Sequence, residues 1–281
     1  MFTESESSAG QIGASRRGRR RRMLAIQSAV EPQPLSDGSA GDGSPLAGSQ
    51  PKSAVEKVAE PGKTPRAAVS PSKVSNDGER IRELIEDVQP RTWVFAGDNL
   101  GFQVEQARRG WIEHFSDFIR ERVQRSQDII LNSSFAHSTV EHLLRDVDWR
   151  ILRFQPDVVL LMPSPEECAQ RGNTDEFRDT LSQLTDRLHE EGCTVVLNTP
   201  PCPANASFSD TKAMKTAASR VRAVASQTGA VLADHSSHWQ ATIEHDGSNA
   251  NLHTESGEQP SARGHRELAR RLLKSLDIRT S

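Results

Sequence analysis

Side chains that can act as nucleophiles, bases or hydrogen-bond partners follow three short apolar segments of this sequence. They are, in chain order, Asp98, Asn99, Ser133, Ser134, His137, Ser164 and Glu166. A hydroxyl, an imidazole and a carboxylate within hydrogen-bond reach of one another form the arrangement that activates a serine for attack. Ser134, His137 and Glu166 are therefore a candidate catalytic set, with Ser164 as a second candidate nucleophile.

Five apolar segments predict the strands that must position these residues. They cover residues 93–96, 129–132, 158–162, 194–198 and 230–233. Segments with apolar residues at steps of three or four predict helices over residues 77–88, from about 103 to 119, and over 140–154, 175–191, 211–228 and 262–276. Strict alternation of strands and helices predicts βαβ crossovers. We expect a three-layer α/β/α sandwich with a parallel, flavodoxin-like five-stranded sheet, whose ligand site lies at the strand carboxyl ends.

Composition divides the chain at about residue 76. Residues 1–76 are rich in Ser, Gly, Pro and Ala and lack clusters of large apolar side chains, which predicts a disordered tail. They contain 11 Lys or Arg and 7 Asp or Glu, whereas residues 77–281 contain 24 Lys or Arg and 31 Asp or Glu. The second part is therefore predicted to be one mildly acidic α/β domain, unlike most nucleic-acid-binding domains.

Two stretches of the domain carry a family resemblance. The segment from Thr92 to Leu100 is a hydrophobic strand that runs into Gly-Asp-Asn, and the segment from Ser256 to His265 precedes the last helix. They are similar to the first and last sequence blocks of the SGNH (GDSL) hydrolases, which read Gly-Asp-Ser and Asp-Gly-x-His-Pro-Asn-x-x-Gly-His. The resemblance spans about residues 92–276 and implies the SGNH-hydrolase-like form of the predicted fold.

The same resemblance implies that the family's reactive positions are changed in this chain. The family uses a serine nucleophile, a glycine and an asparagine as oxyanion donors, and an aspartate–histidine pair. The matching residues here are, in that order, Asn99, His137, Pro165, Ser256 and Gln259. An asparagine amide is not a nucleophile, and proline has neither a backbone N–H nor a side-chain donor. We expect an SGNH-like domain that has lost ester hydrolysis and serves as a ligand-binding or interaction module.

A hydrolase with a rearranged site is the alternative. It would act on esters or acetyl esters through Ser134 or Ser164, with His137 and Glu166 as base and acid. A second variant of this alternative takes His253 as the base and Asp246 as its acid, although their spacing of seven differs from the family's three.

A ligand pocket is the third expectation for the strand ends. Asp98, Asn99, His137 and Gln259 are its candidate residues, and a small polar or carbohydrate-like molecule is its expected ligand. For Asp98 the favoured interpretation is structural, as an acceptor of backbone N–H groups at a helix start. The five histidines of the C-terminal third lack the spacing of a zinc site and are interpreted as loop residues, except His265 in the last helix. We expect neither a metal nor a cofactor.

The run from Arg16 to Arg22 is the other candidate interaction site. It could attract a nucleic acid or an anionic lipid, although solvated basic arms are common in tails. Residues 23–30 only loosely imitate the apolar part of a signal peptide, so export is a minor alternative. Three scattered cysteines and the lack of an apolar stretch of membrane-spanning length favour a soluble cytoplasmic protein.

Overall fold

A computed structural model describes residues 76–97, 100, 109–171, 174–247 and 251–278. The predicted tail, the Arg16–Arg22 run, Asp98 and Asn99 therefore lie outside the described residues. None of the helices in the described ranges combines the length and the apolar character that crossing a membrane requires.

The centre of the domain is a five-stranded parallel sheet with the order β2-β1-β3-β4-β5. Its strands are β1 (Thr92–Gly97), β2 (Ile129–Asn132), β3 (Val158–Met162), β4 (Thr194–Asn198) and β5 (Val231–Ala233). This is the predicted flavodoxin-like order. Strand β1 lies between β2 and β3, and the register pairs Phe95 with both Asn132 and Leu160. Because all the strands are parallel, their carboxyl ends meet at one edge.

Helices cover both faces of the sheet. They are α1 (Asp77–Glu86), α2 (Trp111–Glu121), α3 (Val140–Arg145), α4 (Val147–Arg150), α5 (Pro165–Gln170), α6 (Asp175–Glu190), α7 (Phe208–Thr228), α8 (His235–Asp246) and α9 (Ala262–Ser275). Alternate residues of β1 enter two separate cores. Trp93 and Phe95 pack with residues of α1, α2, α8 and α9, whereas Val94 and Ala96 pack with residues of α3, α4, α6 and α7. Burial on both faces explains why these strands read as continuous apolar runs.

Two predicted helices need correction, and two helices of the structure were not predicted. The helix expected from about residue 103 begins at Trp111, because Gly110 has extended backbone and serves as its N-cap; residues 101–108 lie outside the described residues. The helix expected over residues 140–154 breaks at Asp146 and ends in a 3-10 turn, Leu152–Phe154. Helices α5 and α8 were not predicted, so His235, His238 and His245 lie on a helix and not in a loop.

Candidate active site at the carboxyl edge of the sheet

Gly97 ends β1 in a position that admits no side chain. Its φ is +129°, and an added Cβ would lie 2.0 Å from the carbonyl oxygen of Met162 on the neighbouring strand. Only glycine combines this backbone angle with this close approach. Leu100, the next described residue, is buried. The end of β1 therefore lies directly against the end of β3.

The loop after β2 is attached to the end of β1. The backbone N–H of Ser133 donates to the Phe95 carbonyl at 2.8 Å, and that of Phe135 donates to the Gly97 carbonyl at 3.2 Å. The Arg150 guanidinium lies 3.8 Å from the centre of the Phe135 ring. These contacts fix the loop that carries His137 next to the end of β1.

His137 has a φ of +56°, in the left-handed region that favours glycine. The resemblance aligns this residue with the family's oxyanion glycine. A histidine on a glycine-like backbone is consistent with that alignment, and it places an imidazole where the family has no side chain.

His137 pairs with Glu166 at the surface of the site. Its Nδ1 lies 2.9 Å from Oε2 of Glu166, and the two side chains are 81% and 56% exposed. The structure thus brings together the predicted base and acid of the rearranged hydrolase. Solvent competes for an ion pair this exposed, so the pair is weak.

The candidate serines are engaged in structural contacts. Ser164 is buried and caps α5, where its Oγ accepts the Glu167 N–H at 2.9 Å. Ser133 Oγ donates to the Arg150 carbonyl at 2.8 Å. Ser134 donates its backbone N–H to Oδ1 of Asn132, and the hydrogen bonds among described residues include none between its Oγ and His137. No described serine is therefore hydrogen-bonded to the predicted base.

A cavity of about 560 Å³ opens at this edge, and we call it the rim cavity. It is lined by Leu100, His137, Pro165, Glu166, Ala169, Pro203, Asn205, Ala206, Asp210, Met214, Glu258 and Gln259. Three residues that the resemblance assigns to the family's reactive positions, His137, Pro165 and Gln259, are among them. The sequence did not point to Asp210, Met214 or Glu258. Glu258 stands between two matched positions of the last block, which is the only signal that could have identified it.

The loop of the last block carries Gln259 to the cavity. His253 pairs with Pro260 in an antiparallel bridge, and the Thr254 N–H donates to the Gln259 carbonyl at 2.8 Å. The side-chain oxygen Oε1 of Gln259 is buried and has no hydrogen-bond partner among the described residues. Ser256 is exposed beside Thr254, with 3.1 Å between their hydroxyl oxygens, and does not line the cavity.

His253 belongs to a different environment from the one predicted for a base. Its Nε2 lies 3.1 Å from the indole nitrogen of Trp239 and 3.0 Å from the Cys202 carbonyl. The indole N–H only donates, so Nε2 accepts it when the ring proton is on Nδ1. Burial lowers the pKa of His253, despite the Cys202 carbonyl, which acts in the opposite direction. Asp246 pairs instead with His245 and Arg263, so the structure does not join His253 to Asp246.

A buried histidine that the sequence left without a role supports the floor of the site. Nε2 of His235 lies 3.0 Å from Oδ1 of Asn198, whose Nδ2 donates to the Leu161 carbonyl. Because burial, and secondarily Arg271, lowers the pKa of His235 to about 3, the ring is neutral and Nε2 donates. This chain of hydrogen bonds joins α8 to the ends of β3 and β4. In the described ranges, no three His, Cys, Asp or Glu side chains form a group able to hold a metal ion.

Comparisons with known proteins agree with the observed fold. The family model of GDSL-like lipases and acylhydrolases matches residues 66–267. The structure of an acetylxylan esterase from Geobacillus stearothermophilus superposes with a TM-score of 0.58 at 18% identity, covering 68% of this chain and 97% of that one. The structure of an alpha/beta hydrolase from the metagenome of Lake Arreo, Spain, superposes with a TM-score of 0.58 at 18% identity. The match covers 69% of this chain and 99% of that one. No curated protein sequence matches significantly.

Three variants of the Geobacillus esterase are described as catalytic mutants. They replace a serine, an aspartate and a histidine by alanine, and the aspartate and histidine are three positions apart in that chain. Their TM-scores are 0.58 to 0.59 at 18–19% identity, with 67–68% of this chain and 95–97% of those chains covered.

Proposed function

The chain belongs to the GDSL-like lipase/acylhydrolase family, and we propose that it is a member that has lost ester hydrolysis and binds a small polar ligand in the rim cavity. The observation that carries this proposal is the presence of both Pro165 and Gln259 on the wall of that cavity. Proline cannot donate a hydrogen bond to an oxyanion, and a glutamine amide cannot accept a proton from a nucleophile.

The contrast between the scaffold and the reactive groups supports the same proposal. Gly97 and Gly264 occupy sites where an added Cβ would lie 2.0 and 2.2 Å from a carbonyl oxygen. Both belong to the sequence blocks that resemble the family. Packing therefore requires these two glycines, whereas Gln259 lies on the cavity wall, where packing does not require a histidine. A chain that binds a ligand without hydrolysing it needs only the glycines that packing requires.

The expected ligand is small, polar and carbohydrate-like. The cavity has the size of ordinary small-molecule sites and mixes apolar walls with hydrogen-bonding side chains. A structurally similar enzyme is described as an acetyl-xylooligosaccharide esterase, which makes an acetylated xylo-oligosaccharide the natural first probe.

Incubation of the chain with this probe tests both parts of the proposal in one NMR sample. Released acetate reports hydrolysis, and saturation transfer from the protein to the sugar reports binding. We expect transfer without acetate release, while the Geobacillus esterase releases acetate under the same conditions. Acetate release by this chain would contradict the loss of hydrolysis, and a lack of transfer would contradict binding of this sugar class.

A second candidate function is ester hydrolysis with His137 as a base, favoured by the 2.9 Å contact between His137 and Glu166. That contact leaves Nε2 of His137 as the nitrogen able to take a proton from a hydroxyl or from water. In this case acetate release would be lost in the His137→Gln variant and lowered in Glu166→Gln. Release that persists in His137→Gln would exclude this base.

A further inference from the structure

A second cavity, also of about 560 Å³, lies between α7 and α8, and we call it the interhelical cavity. Residues three or four positions apart share one face of a helix. The faces that line this cavity carry Thr211, Lys215, Ser219 and Arg222 on α7, and Ser236, Trp239, Gln240 and Ile243 on α8. No described residue that the family resemblance aligns with a reactive position lines this cavity. It is therefore a site separate from the rim cavity, although the two adjoin at Pro203 and Met214.

A hydrogen bond from Trp239 determines which nitrogen of His253 carries the proton. Burial lowers the pKa of His253, so the ring is neutral and has one N–H. Nε2 lies 3.1 Å from the indole nitrogen of the buried Trp239 and 3.0 Å from the Cys202 carbonyl, and it cannot both accept the indole hydrogen and donate to that carbonyl. Buried N–H groups without an acceptor are rarer than carbonyl oxygens without a donor. Nε2 therefore accepts, and the proton of His253 is on Nδ1.

The Nδ1–H group of His253 opens on the interhelical cavity. The ring lines that cavity, and the hydrogen bonds among the described residues engage Nε2 alone. Nδ1 is also not among the nitrogens that protein atoms enclose without a partner. The buried indole on one side of the ring thus holds a hydrogen-bond donor toward the cavity on the other.

Two of the four cations of α7 line the same cavity, and only one of them is neutralised. Arg222 donates to both carboxylate oxygens of Asp234, at 2.8 and 3.0 Å. Lys215 is exposed and has no ion pair with any residue that the structure describes. Burial raises the pKa of the Cys202 thiol, and Lys215 lies close enough to oppose that rise. Because the carbonyl of Cys202 contacts His253, Lys215 and the Nδ1–H group belong to the same part of the cavity.

The rest of the wall is mainly uncharged and partly apolar. Glu244 is the one carboxylate among the described lining residues, and it accepts a 2.9 Å hydrogen bond from the Gln240 amide. Met214, Ala218 and Ile243 contribute apolar surface, and Ile243 is 36% exposed. The cavity therefore offers donors to one end of a ligand and an apolar wall to the rest of it.

We propose that the interhelical cavity binds a small monocarboxylate with an apolar body, its carboxylate held by the Nδ1–H of His253 and the ammonium group of Lys215. A carboxylate has acceptors and no donor, and its hydrogen bonds to charged donors are stronger than neutral ones. The apolar body packs against Met214, Ala218 and Ile243. The inference goes beyond the proposed function, because it assigns a ligand to a different cavity.

Three compounds with the same apolar body and different charge test the ligand class. 3-Phenylpropionate is anionic, its amide is neutral, and 3-phenylpropylamine is cationic. Titration of the full chain by NMR should show that the amide binds about tenfold more weakly than the carboxylate, and the amine more weakly still. Equal affinities for the three compounds, or no binding of the carboxylate, would overturn the inference.

The indole N–H signals show where the carboxylate binds. The chain has four tryptophans, and the variant Trp239→Phe identifies the signal of Trp239. A carboxylate that accepts from Nδ1 of His253 makes Nε2 a stronger acceptor, because linked hydrogen bonds polarise one another. The Trp239 signal should therefore move downfield during the titration, whereas that of Trp149, which is exposed on α4, should stay. A Trp239 signal that does not move would refute the placement at His253.

A matched pair of lysine variants tests the second partner of the carboxylate. Lys215→Gln removes the cation that lines the cavity, whereas Lys212→Gln removes an exposed one from the same helix that lines neither cavity. Lys215→Gln should weaken binding of 3-phenylpropionate about fivefold and leave binding of the amide unchanged. Lys212→Gln should bind both compounds as the parent chain does. Equal losses in the two variants would refute a direct contact with Lys215.

Discussion

Single residues at the strand ends decide which positions of the family blocks are structural. Gly97 and Gly264 sit against the carbonyl oxygens of Met162 and Leu252, at distances that a Cβ cannot share. Gly97 allows the close contact between β1 and β3, and Gly264 allows the contact between the start of α9 and the loop before it. The presence of these two glycines follows from packing alone and says nothing about catalysis.

Gly97→Ala should destabilise the domain more than an alanine at another glycine with a positive φ. Gly247 is the control, because its φ is +56° and nothing lies within 4 Å of an added Cβ. Backbone strain alone should cost about 1–2 kcal/mol in Gly247→Ala. The added clash should raise the loss in Gly97→Ala by at least about 2 kcal/mol, measured by urea unfolding. Equal losses would contradict the contact with Met162.

His137 should show the energetic signature of a glycine position. Because its φ is +56°, His137→Gly should be more stable than His137→Ala by about 1 kcal/mol. At Gln183, an exposed position inside α6, the alanine variant should instead be more stable than the glycine variant, by a similar amount. Urea unfolding of the four variants measures both differences. An alanine variant at 137 that is the more stable would refute the left-handed backbone.

At the scale of elements, the sequence predicted the sheet better than the helices. All five strands lie where their apolar runs predict, because burial on both faces leaves a simple signal. Helix α5 was missed although Ser164 and Pro165 are typical of a helix start, because it has only six residues. Helix α8 was missed because its buried residues, His235 and Trp239, include a histidine that reads as polar.

The candidate site was predictable where it depends on strand ends and less so elsewhere. His137, Glu166 and Gln259 reach one cavity because the loops that carry them leave the same edge of the sheet. Ser164 was interpreted as a nucleophile, but its hydroxyl caps a helix that the sequence analysis did not predict. Asp210 could not be placed, since its position depends on how α7 packs over the loop from Pro203 to Ala206.

Helices α8 and α9 should make the stability of the domain depend on pH through their buried histidines. Burial lowers the pKa of His235 to about 3 and that of His265 to about 4. Both rings stay neutral in the folded chain, whereas the unfolded chain binds protons below about pH 6.5. The free energy of unfolding should therefore fall as the pH is lowered, by up to about 1.4 kcal/mol per pH unit for each histidine.

The variants His235→Gln and His265→Gln test this dependence. Each should flatten the slope of unfolding free energy against pH, His235→Gln from about pH 6.5 to 3 and His265→Gln from about 6.5 to 4. Urea unfolding at a series of pH values measures the slopes. If both variants kept the slope of the parent chain, carboxylates alone would set the acid sensitivity of the domain.

The whole molecule combines the fold of a hydrolase family with a rim from which, in our proposal, the family's reactive groups have been lost. The sheet order, the glycine contacts and the cavity at the carboxyl edge are in place. The cavity wall carries proline, glutamine and carboxylates. The Ser164 hydroxyl caps α5, and the Ser133 hydroxyl donates to a backbone carbonyl. Binding of a polar ligand needs the scaffold and the wall, whereas hydrolysis needs an activated nucleophile as well.

Covalent labelling tests this account most directly. A fluorophosphonate ester reacts with a serine only when a neighbouring base activates it. The full chain, treated beside the Geobacillus acetylxylan esterase and weighed intact, should keep its unmodified mass while the esterase gains one adduct. A single adduct on this chain would contradict the account, and peptide mapping would then identify the activated residue, with Ser134 examined first.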